Sequence, residues 1–207
     1  YGLSEAGPNN VWLPDGIVRD KPGSVGYSMM LNEMRLVDDE GKEVVEPGEH
    51  GEIQILGPHC SPGYINNPEA TAKLKTEDGW LRTGDVGYQD IDGCWYIMGR
   101  SNDCYISGGE NIYPAEVESV VSGYFAINEA IIIGVEDKKW GEVGKLVISV
   151  RENMDFSEVD FISWLRMNIA SFKMPKHIEV VGELPKTATG KLDRNEVKKQ
   201  FGEKLQN

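Results

Sequence analysis

Cysteine, histidine and positive charge are all scarce in this sequence. Cys60, Cys94 and Cys104 are odd in number and show no CxxC spacing. That pattern excludes a disulfide framework and a zinc-ribbon site, and it fits a reducing, cytoplasmic compartment. The three histidines, His50, His59 and His177, lie far apart and flank no nucleophile motif, so they read as structural. Lys and Arg total 21 against 34 Asp and Glu, a formal charge of −13. Such a surface repels polyphosphate backbones and argues against nucleic acid as a partner. No apolar run approaches the roughly 18 residues of a transmembrane segment. The first residues, Tyr1-Gly2-Leu3-Ser4-Glu5, are not those of a secretory leader. The chain does not open on Met, and on that ground it reads as a fragment.

What is present is an ordinary globular composition, 40% hydrophobic and 27% charged, over 207 residues. That length allows one large domain or two of about 100 residues. The 24 glycines and 10 prolines predict many turns. The charge is uneven. Residues 1–100 carry −9 and residues 101–207 carry −4, with +3 between Ser171 and Asn207. An acidic protein with a basic end remains able to handle a small anionic ligand.

The first half reads as short strands at Glu33 to Val37, Glu52 to Leu56 and Cys94 to Met98, separated by Gly/Pro/Asp turns. Its expected form is a small β-barrel or a set of packed hairpins. The character changes near Gly99-Arg100. Pro114 suits the first turn of a helix with an apolar stripe of Val117, Val120 and Val121. Ala130 to Val135, Lys145 to Arg151 and His177 to Val181 read as strands. Ser157 and Asp193 are candidate N-caps of two further helices. The order β-α-β-β-α-β-α predicts a compact α+β domain. The expected division is 1–100, a β-rich, barrel-like part, and 101–207, an α+β domain.

Several short segments carry chemistry-bearing residues. Leu184 to Lys191 is a turn-rich loop ending in Gly190-Lys191, which can deliver a mobile positive charge to a phosphate or carboxylate. It is not a Walker A sequence, and the plain alternative is a solvated loop. Ser107-Gly108-Gly109-Glu110-Asn111 permits close backbone approach by a ligand, or forms a simple strand-to-helix turn. Asp85, in Thr83-Gly84-Asp85, suits a sugar diol or caps a turn. Glu5 offers oxygen to a hard cation such as Mg²⁺, or is only a surface charge. Trp80, Trp95, Trp140 and Trp164 read as core or rim residues.

Taken in register, YGLSEAGP (1–8), GYINNPEAT (63–71), DGWLRTGDVG (78–87), GRSNDCYISGGENIYPAEVE (99–118) and PKTATGKLDR (185–194) carry a more specific signal. This set resembles the adenylate-forming superfamily of acyl-CoA synthetases, peptide synthetase adenylation domains and luciferases. The wording ISGGENIYPAEVE looks most like the fatty-acyl and aryl-acyl CoA ligases. The resemblance implies an ATP- and Mg²⁺-dependent ligase that joins a carboxylic acid to coenzyme A through an acyl-adenylate. Fatty acids are the first expectation for the acid, and aryl or phenylpropenoic acids the second.

The same resemblance implies a role for each matched residue. Tyr1 would lie beside adenine, Ser4 would contact the AMP phosphate and Glu5 would bind Mg²⁺. Asp85 would hold the ribose hydroxyls, with Arg100 helping to bind the nucleotide. Asn102, where relatives carry Asp or Lys, would be the hinge of a mobile C-terminal domain. Gly108 and Gly109 would line the pantetheine tunnel, and Lys191 would be the adenylation lysine. The family's phosphate-cradling loop and most of its acyl pocket are expected upstream of Tyr1. The chain thus resembles the last part of an enzyme about two and a half times longer. A second expectation, for the isolated chain, is a non-catalytic module that binds CoA or an acyl carrier.

Overall fold

The computed structural model describes residues 1–202 and divides them, by the clustering of their contacts, into two compact units: Tyr1–Asn102 and the part from Asp103 onward. In the first unit the strands are β1 (Val11–Trp12), β2 (Ser24–Ser28), β3 (Glu33–Val37), β4 (Glu43–Val44), β5 (His50–Leu56), β6 (Leu81–Gln89) and β7 (Trp95–Arg100). One short helix, α1 (Pro68–Leu74), interrupts them, with Pro68 in its first turn and Asn67 Oδ1 accepting from the Ala70 amide at 3.0 Å.

All seven strands join one sheet in the order β1-β2-β7-β6-β5-β3-β4, each neighbour antiparallel. The path is open, so the expected barrel is not closed. Its two edge strands are only two residues long. A core of Leu36, Ile53, Ile55, Leu81 and Trp95 covers one face and takes in Leu74 and Ala6. Gly87 is needed inside β6, because a Cβ there would sit 2.4 Å from the Tyr96 carbonyl oxygen.

The second unit holds β8 (Tyr105–Ser107), β9 (Glu110–Ile112), α2 (Pro114–Val121), β10 (Ile127–Asp137), β11 (Gly141–Val150), α3 (Glu158–Asn168), β12 (His177–Val181) and α4 (Arg194–Phe201). The α+β class agrees with the sequence reading. Ser157 and Asp193 accept from the amides of Asp160 and Glu196, so both caps form as the sequence suggests. β10 and β11 make a long antiparallel ribbon, and β11 also pairs with β12 in parallel and touches β8.

Helices lie on both faces of that ribbon. Ile132, Leu146 and Ile148 pack against Val117, Val121, Phe161 and Leu165 of α2 and α3. Ile131, Ile133, Val135 and Val147 pack against Leu184 and against Val197 of α4. A strand covered on both faces buries successive side chains, which is why Ala130 to Val135 is an unbroken apolar run.

The turn at Gly108-Gly109 differs from the strand-to-helix reading. Ser107 pairs with Glu110, so the two glycines form the two-residue turn of a β8–β9 hairpin. Their φ values of 62° and 92° are the left-handed backbone that such tight hairpin turns require.

Candidate functional site

The first unit brings four of the sequence-selected residues into one cluster. Asp85 does not cap a turn; it sits within β6, paired across the sheet with Arg100 of β7. The Asp85 carboxylate is buried and takes the Tyr1 hydroxyl as a hydrogen-bond donor. Its other oxygen lies 2.9 Å from Nε of Arg100. Arg100 also donates from Nη1 to the Thr83 carbonyl at 2.8 Å. Thr83 is itself buried and donates its hydroxyl to the Ile53 carbonyl at 2.6 Å, while accepting the Asp85 amide at 3.0 Å. The acid is thus fixed from both sides.

Burial raises the Asp85 carboxyl above the usual carboxylate range, against the Tyr1 hydrogen bond and the Arg100 charge, which lower it; nearby Glu5 adds to the rise. Tyr1 is held far above an ordinary phenol, first by burial and then by its bond to Asp85. It therefore stays a neutral donor at physiological pH.

Glu5 lies in a tight turn closed by the Leu3 amide donating to the Gly7 carbonyl at 3.1 Å. One carboxylate oxygen accepts the Tyr64 hydroxyl at 2.6 Å. Tyr64 belongs to the segment GYINNPEAT but was not singled out as a site residue; its place two residues inside a motif was the available signal. Ser4 is exposed in the same turn and makes no side-chain hydrogen bond among the described residues. No group of three His, Cys, Asp or Glu able to hold a metal occurs among the described residues. A single oriented carboxylate with one oxygen to spare fits Mg²⁺ held jointly with substrate phosphates, and does not fit an all-protein metal cage.

The second unit separates its two candidate features. Lys191 is exposed, in a loop closed by the Thr187 amide donating to the Lys191 carbonyl at 2.7 Å and by a bridge between Lys186 and Leu192. Its ammonium has no hydrogen bond or ion pair among the described residues. Lys186, by contrast, pairs with Glu129 at the start of β10 at 2.8 Å. The glycine hairpin lies at the other end of the ribbon, where the Gly108 amide donates to the Trp140 carbonyl at 2.9 Å, just past Asp137. Glu129 to Asp137 is roughly 26 Å of strand at about 3.3 Å per residue.

Trp140 itself packs under Gly108, and the ammonium groups of Lys139 and Lys176 lie 4.5 and 5.1 Å from its ring centre. This half-exposed, positively flanked ring beside the hairpin suits a phosphate-bearing ligand with a flat base. The sequence reading placed Trp140 only among core or rim residues. Asn102 is exposed, in the short turn Ser101–Asp103 that ends the first unit. The basic stretch 171–207 is described only as far as residue 202; residues 203–207 lie outside the described residues.

Comparison with known proteins gives matches along most of the chain. The AMP-binding enzyme family matches residues 1–65, and the AMP-binding enzyme C-terminal domain matches residues 116–191. The feruloyl-CoA synthase of Amycolatopsis sp is 42% identical over 202 residues, which are 98% of this chain and 41% of that protein. The long-chain-fatty-acid–CoA ligase of Bacillus subtilis is 40% identical over 198 residues, 94% of this chain and 34% of that one. Among solved structures, the o-succinylbenzoate CoA synthetase of Bacillus subtilis with its acyl-adenylate intermediate superposes with a TM-score of 0.90 at 38% identity. That match covers 99% of this chain and 41% of the other; the same enzyme with ATP and magnesium ion gives 0.86 over 96% and 40%. The chain thus spans about two-fifths or less of the length of these relatives. On these matches and on its motifs, the chain belongs to the adenylate-forming, AMP-binding enzyme family.

Proposed function

We propose that this chain works as the C-terminal part of an ATP-dependent carboxylic acid–CoA ligase. The observation that carries the reading is the placing of Lys191 and the Gly108-Gly109 hairpin at opposite ends of the β10–β11 ribbon. A reaction in two steps, each needing a different protein group at one centre, is served by a small domain that offers first one end and then the other.

In the first step a carboxylate oxygen attacks the α-phosphorus of ATP and pyrophosphate leaves. The Asp85 carboxylate would accept the ribose hydroxyls, Tyr1 would lie against the base and Ser4 would face the α-phosphate. Glu5, oriented by Tyr64, would hold Mg²⁺ with the phosphates, and the metal supplies neutralising charge to the leaving group. Lys191, unpaired and exposed, would add a positive charge where negative charge develops. In the second step the thiol of CoA attacks the acyl carbon, the C–S bond forms, and the bond to AMP breaks. Gly109 leaves open space for the pantetheine arm, since a Cβ there would meet no atom within 4 Å. The Trp140 platform, with Lys139 and Lys176, would receive the nucleotide end of CoA.

The nature of the acid is a finer matter. Relatives acting on aromatic acids and one acting on long-chain fatty acids match at 42% and 40% identity, so fatty acids keep no advantage over aryl or phenylpropenoic acids. Pyrophosphate release by the full-length enzyme, assayed with matched panels of fatty and cinnamic-type acids, tests the proposal. A signal dependent on one panel assigns the substrate class; no release with any carboxylic acid refutes the ligase reading. Three cysteines, odd in number and without CxxC spacing, fit work in a reducing compartment such as the cytoplasm.

A further inference from the structure

The loop that carries Lys191 is a small hairpin with two lysines pointing in opposite directions. Lys186 bridges Leu192 across it, and the Thr187 amide donates to the Lys191 carbonyl at 2.7 Å. The Gly190 amide closes the tip by donating to the Thr187 carbonyl at 2.9 Å. Side chains paired directly across an antiparallel ladder share a face, and the next pair faces the other way. Lys186 and Leu192 therefore turn toward the domain. Leu192 packs on the core that holds Val197, and Lys186, though still part-exposed, meets Glu129 at 2.8 Å. Thr187 and Lys191 turn outward, and both are exposed.

The base of the hairpin is firmly held. Leu184 is buried, and the Asp193 amide donates to the Pro185 carbonyl at 2.8 Å. Beside it, Arg194 places Nη1 and Nη2 on the two Glu118 carboxylate oxygens at 2.8 and 2.9 Å. Nη1 also donates to the Ile132 carbonyl at 2.7 Å. A bidentate guanidinium of this kind is a rigid anchor. Nearer the tip, the Lys186–Glu129 pair is the ionic contact between the hairpin and β10.

β10 presents Glu129 to the hairpin by means of a bulge. Ile127 pairs with Val150 and Glu129 with Ser149, so Asn128 is one residue in excess. Such an insertion re-aims the side chains on either side of it. Ile127 packs with Ile132 and Leu146 in one core, whereas Glu129 falls in step with Ile131 and Ile133, on the face that carries Leu184 and α4. In a strand of strict alternation Ile127 and Glu129 would share one face. The hydrogen bond to Glu129 in turn raises the Lys186 ammonium above the usual lysine range.

We propose that Glu129 is a positioning residue for adenylation: by holding Lys186 it fixes the roll of the hairpin, so that Lys191 is the ammonium presented outward. Without the pair, the hairpin stays attached at its base but rolls about it, and the two lysines compete for the outward place. Glu129 itself touches no substrate. Its link to adenylation rests on the proposed ligase function, whereas the sorting of the two lysines does not.

Competitive labelling of this 207-residue chain with trace acetic anhydride, mapped by mass spectrometry, reads the sorting. In the unaltered chain Lys191 should label faster than Lys186. In E129Q, Lys186 should gain roughly two- to fivefold on Lys191, the scale of one part-exposed ion pair. Equal labelling in the unaltered chain, or a ratio that E129Q leaves in place, overturns the proposal.

In the full-length enzyme, E129Q should lower kcat for pyrophosphate release roughly tenfold, the scale of a misplaced group, with the KM for ATP kept. Thioester formation from a supplied acyl-adenylate should persist. K186M, which keeps the apolar stem, should behave alike and stands in if E129Q disturbs the fold. The exchanged pair E129K/K186E should recover most of the lost rate. An equal fall in both half-reactions marks a merely structural pair and overturns the proposal, as does normal pyrophosphate release in both single variants. Sorted lysines in a full-length enzyme that releases no pyrophosphate would refute the ligase reading and leave the sorting standing.

Discussion

The two hairpin glycines share a backbone conformation but not a neighbourhood, and this separates strain from crowding. Gly108 has φ 62° and Gly109 φ 92°, so alanine at either adopts a left-handed backbone costing about 1 kcal/mol. At Gly109 the new methyl meets open space. At Gly108 it would sit 2.7 Å from Cε3 of Trp140 and 3.0 Å from Cζ3. The indole is flanked by two lysines and tied through its backbone carbonyl to Gly108, so relief requires moving the ring or the hairpin. Overpacking of that kind costs about 1–3 kcal/mol more. Gly109→Ala should therefore lose about 1 kcal/mol, and Gly108→Ala about 2–4 kcal/mol. Hydrogen exchange at the Ile132, Leu146 and Ile148 amides, in the core of the second unit, reads this loss without interference from the first. Equal losses at the two positions would refute the assignment of crowding to Trp140. A larger loss at Gly109 would refute the hairpin geometry itself.

Three further outcomes follow from the site. In the full-length enzyme, Lys191→Ala should cut pyrophosphate release by about 10²-fold or more, the scale of removing one transition-state charge partner. Thioester formation from a supplied acyl-adenylate should persist, and a matching loss in that step contradicts the assigned role. Gly109→Leu should give the mirror image, with pyrophosphate release kept and thioester formation blocked. The affinity of the full-length enzyme for ATP should weaken as pH falls, because a protonated Asp85 accepts the ribose hydroxyls poorly. Since burial raises Asp85, the weakening should set in above the usual carboxylate pKa of about 4, and a midpoint at or below that value removes the role of burial.

Local signals in the sequence were a good guide where the chain's own chemistry decides the structure. Strands β3 and β12 run over the residues that their alternation marked, and Pro114, Ser157 and Asp193 sit at the helix starts they suggested. Elements fixed by distant neighbours were not legible. β6 contains Gly84 and Gly87 and is not among the strands the sequence marked; it is a strand because β5 and β7 flank it, with Gly87 answering the Tyr96 carbonyl. β8 and β9 are three residues each, too short for a periodic pattern, so their glycine turn looked like a link to the helix.

The site divides in the same way. The motifs marked Tyr1, Glu5, Asp85 and Arg100 one by one, but only the register of β6 against β7 places Asp85 opposite Arg100 and beneath Tyr1. Tyr64 was not selected, and Trp140 only as a core or rim residue, because each matters through one contact made far along the chain, to Glu5 and to Gly108.

The Glu118–Arg194 pair has a second consequence, at the outer border of the β10–β11 ribbon. Among the described residues, β10 has no strand on its far side. Midway along it the Ile132 amide donates to Glu118 at 2.8 Å, and the Ile132 carbonyl accepts from Arg194. A carboxylate and a guanidinium thus occupy the positions where a neighbouring backbone would offer its own carbonyl and amide. They act as a plug in what is otherwise an eleven-residue template for another chain to add to. Two short edges guard the first unit's sheet by being too brief to extend; the second unit's long edge is guarded by an ion pair imitating a strand. Loss of Glu118 would then surface first as self-association, before any loss of fold.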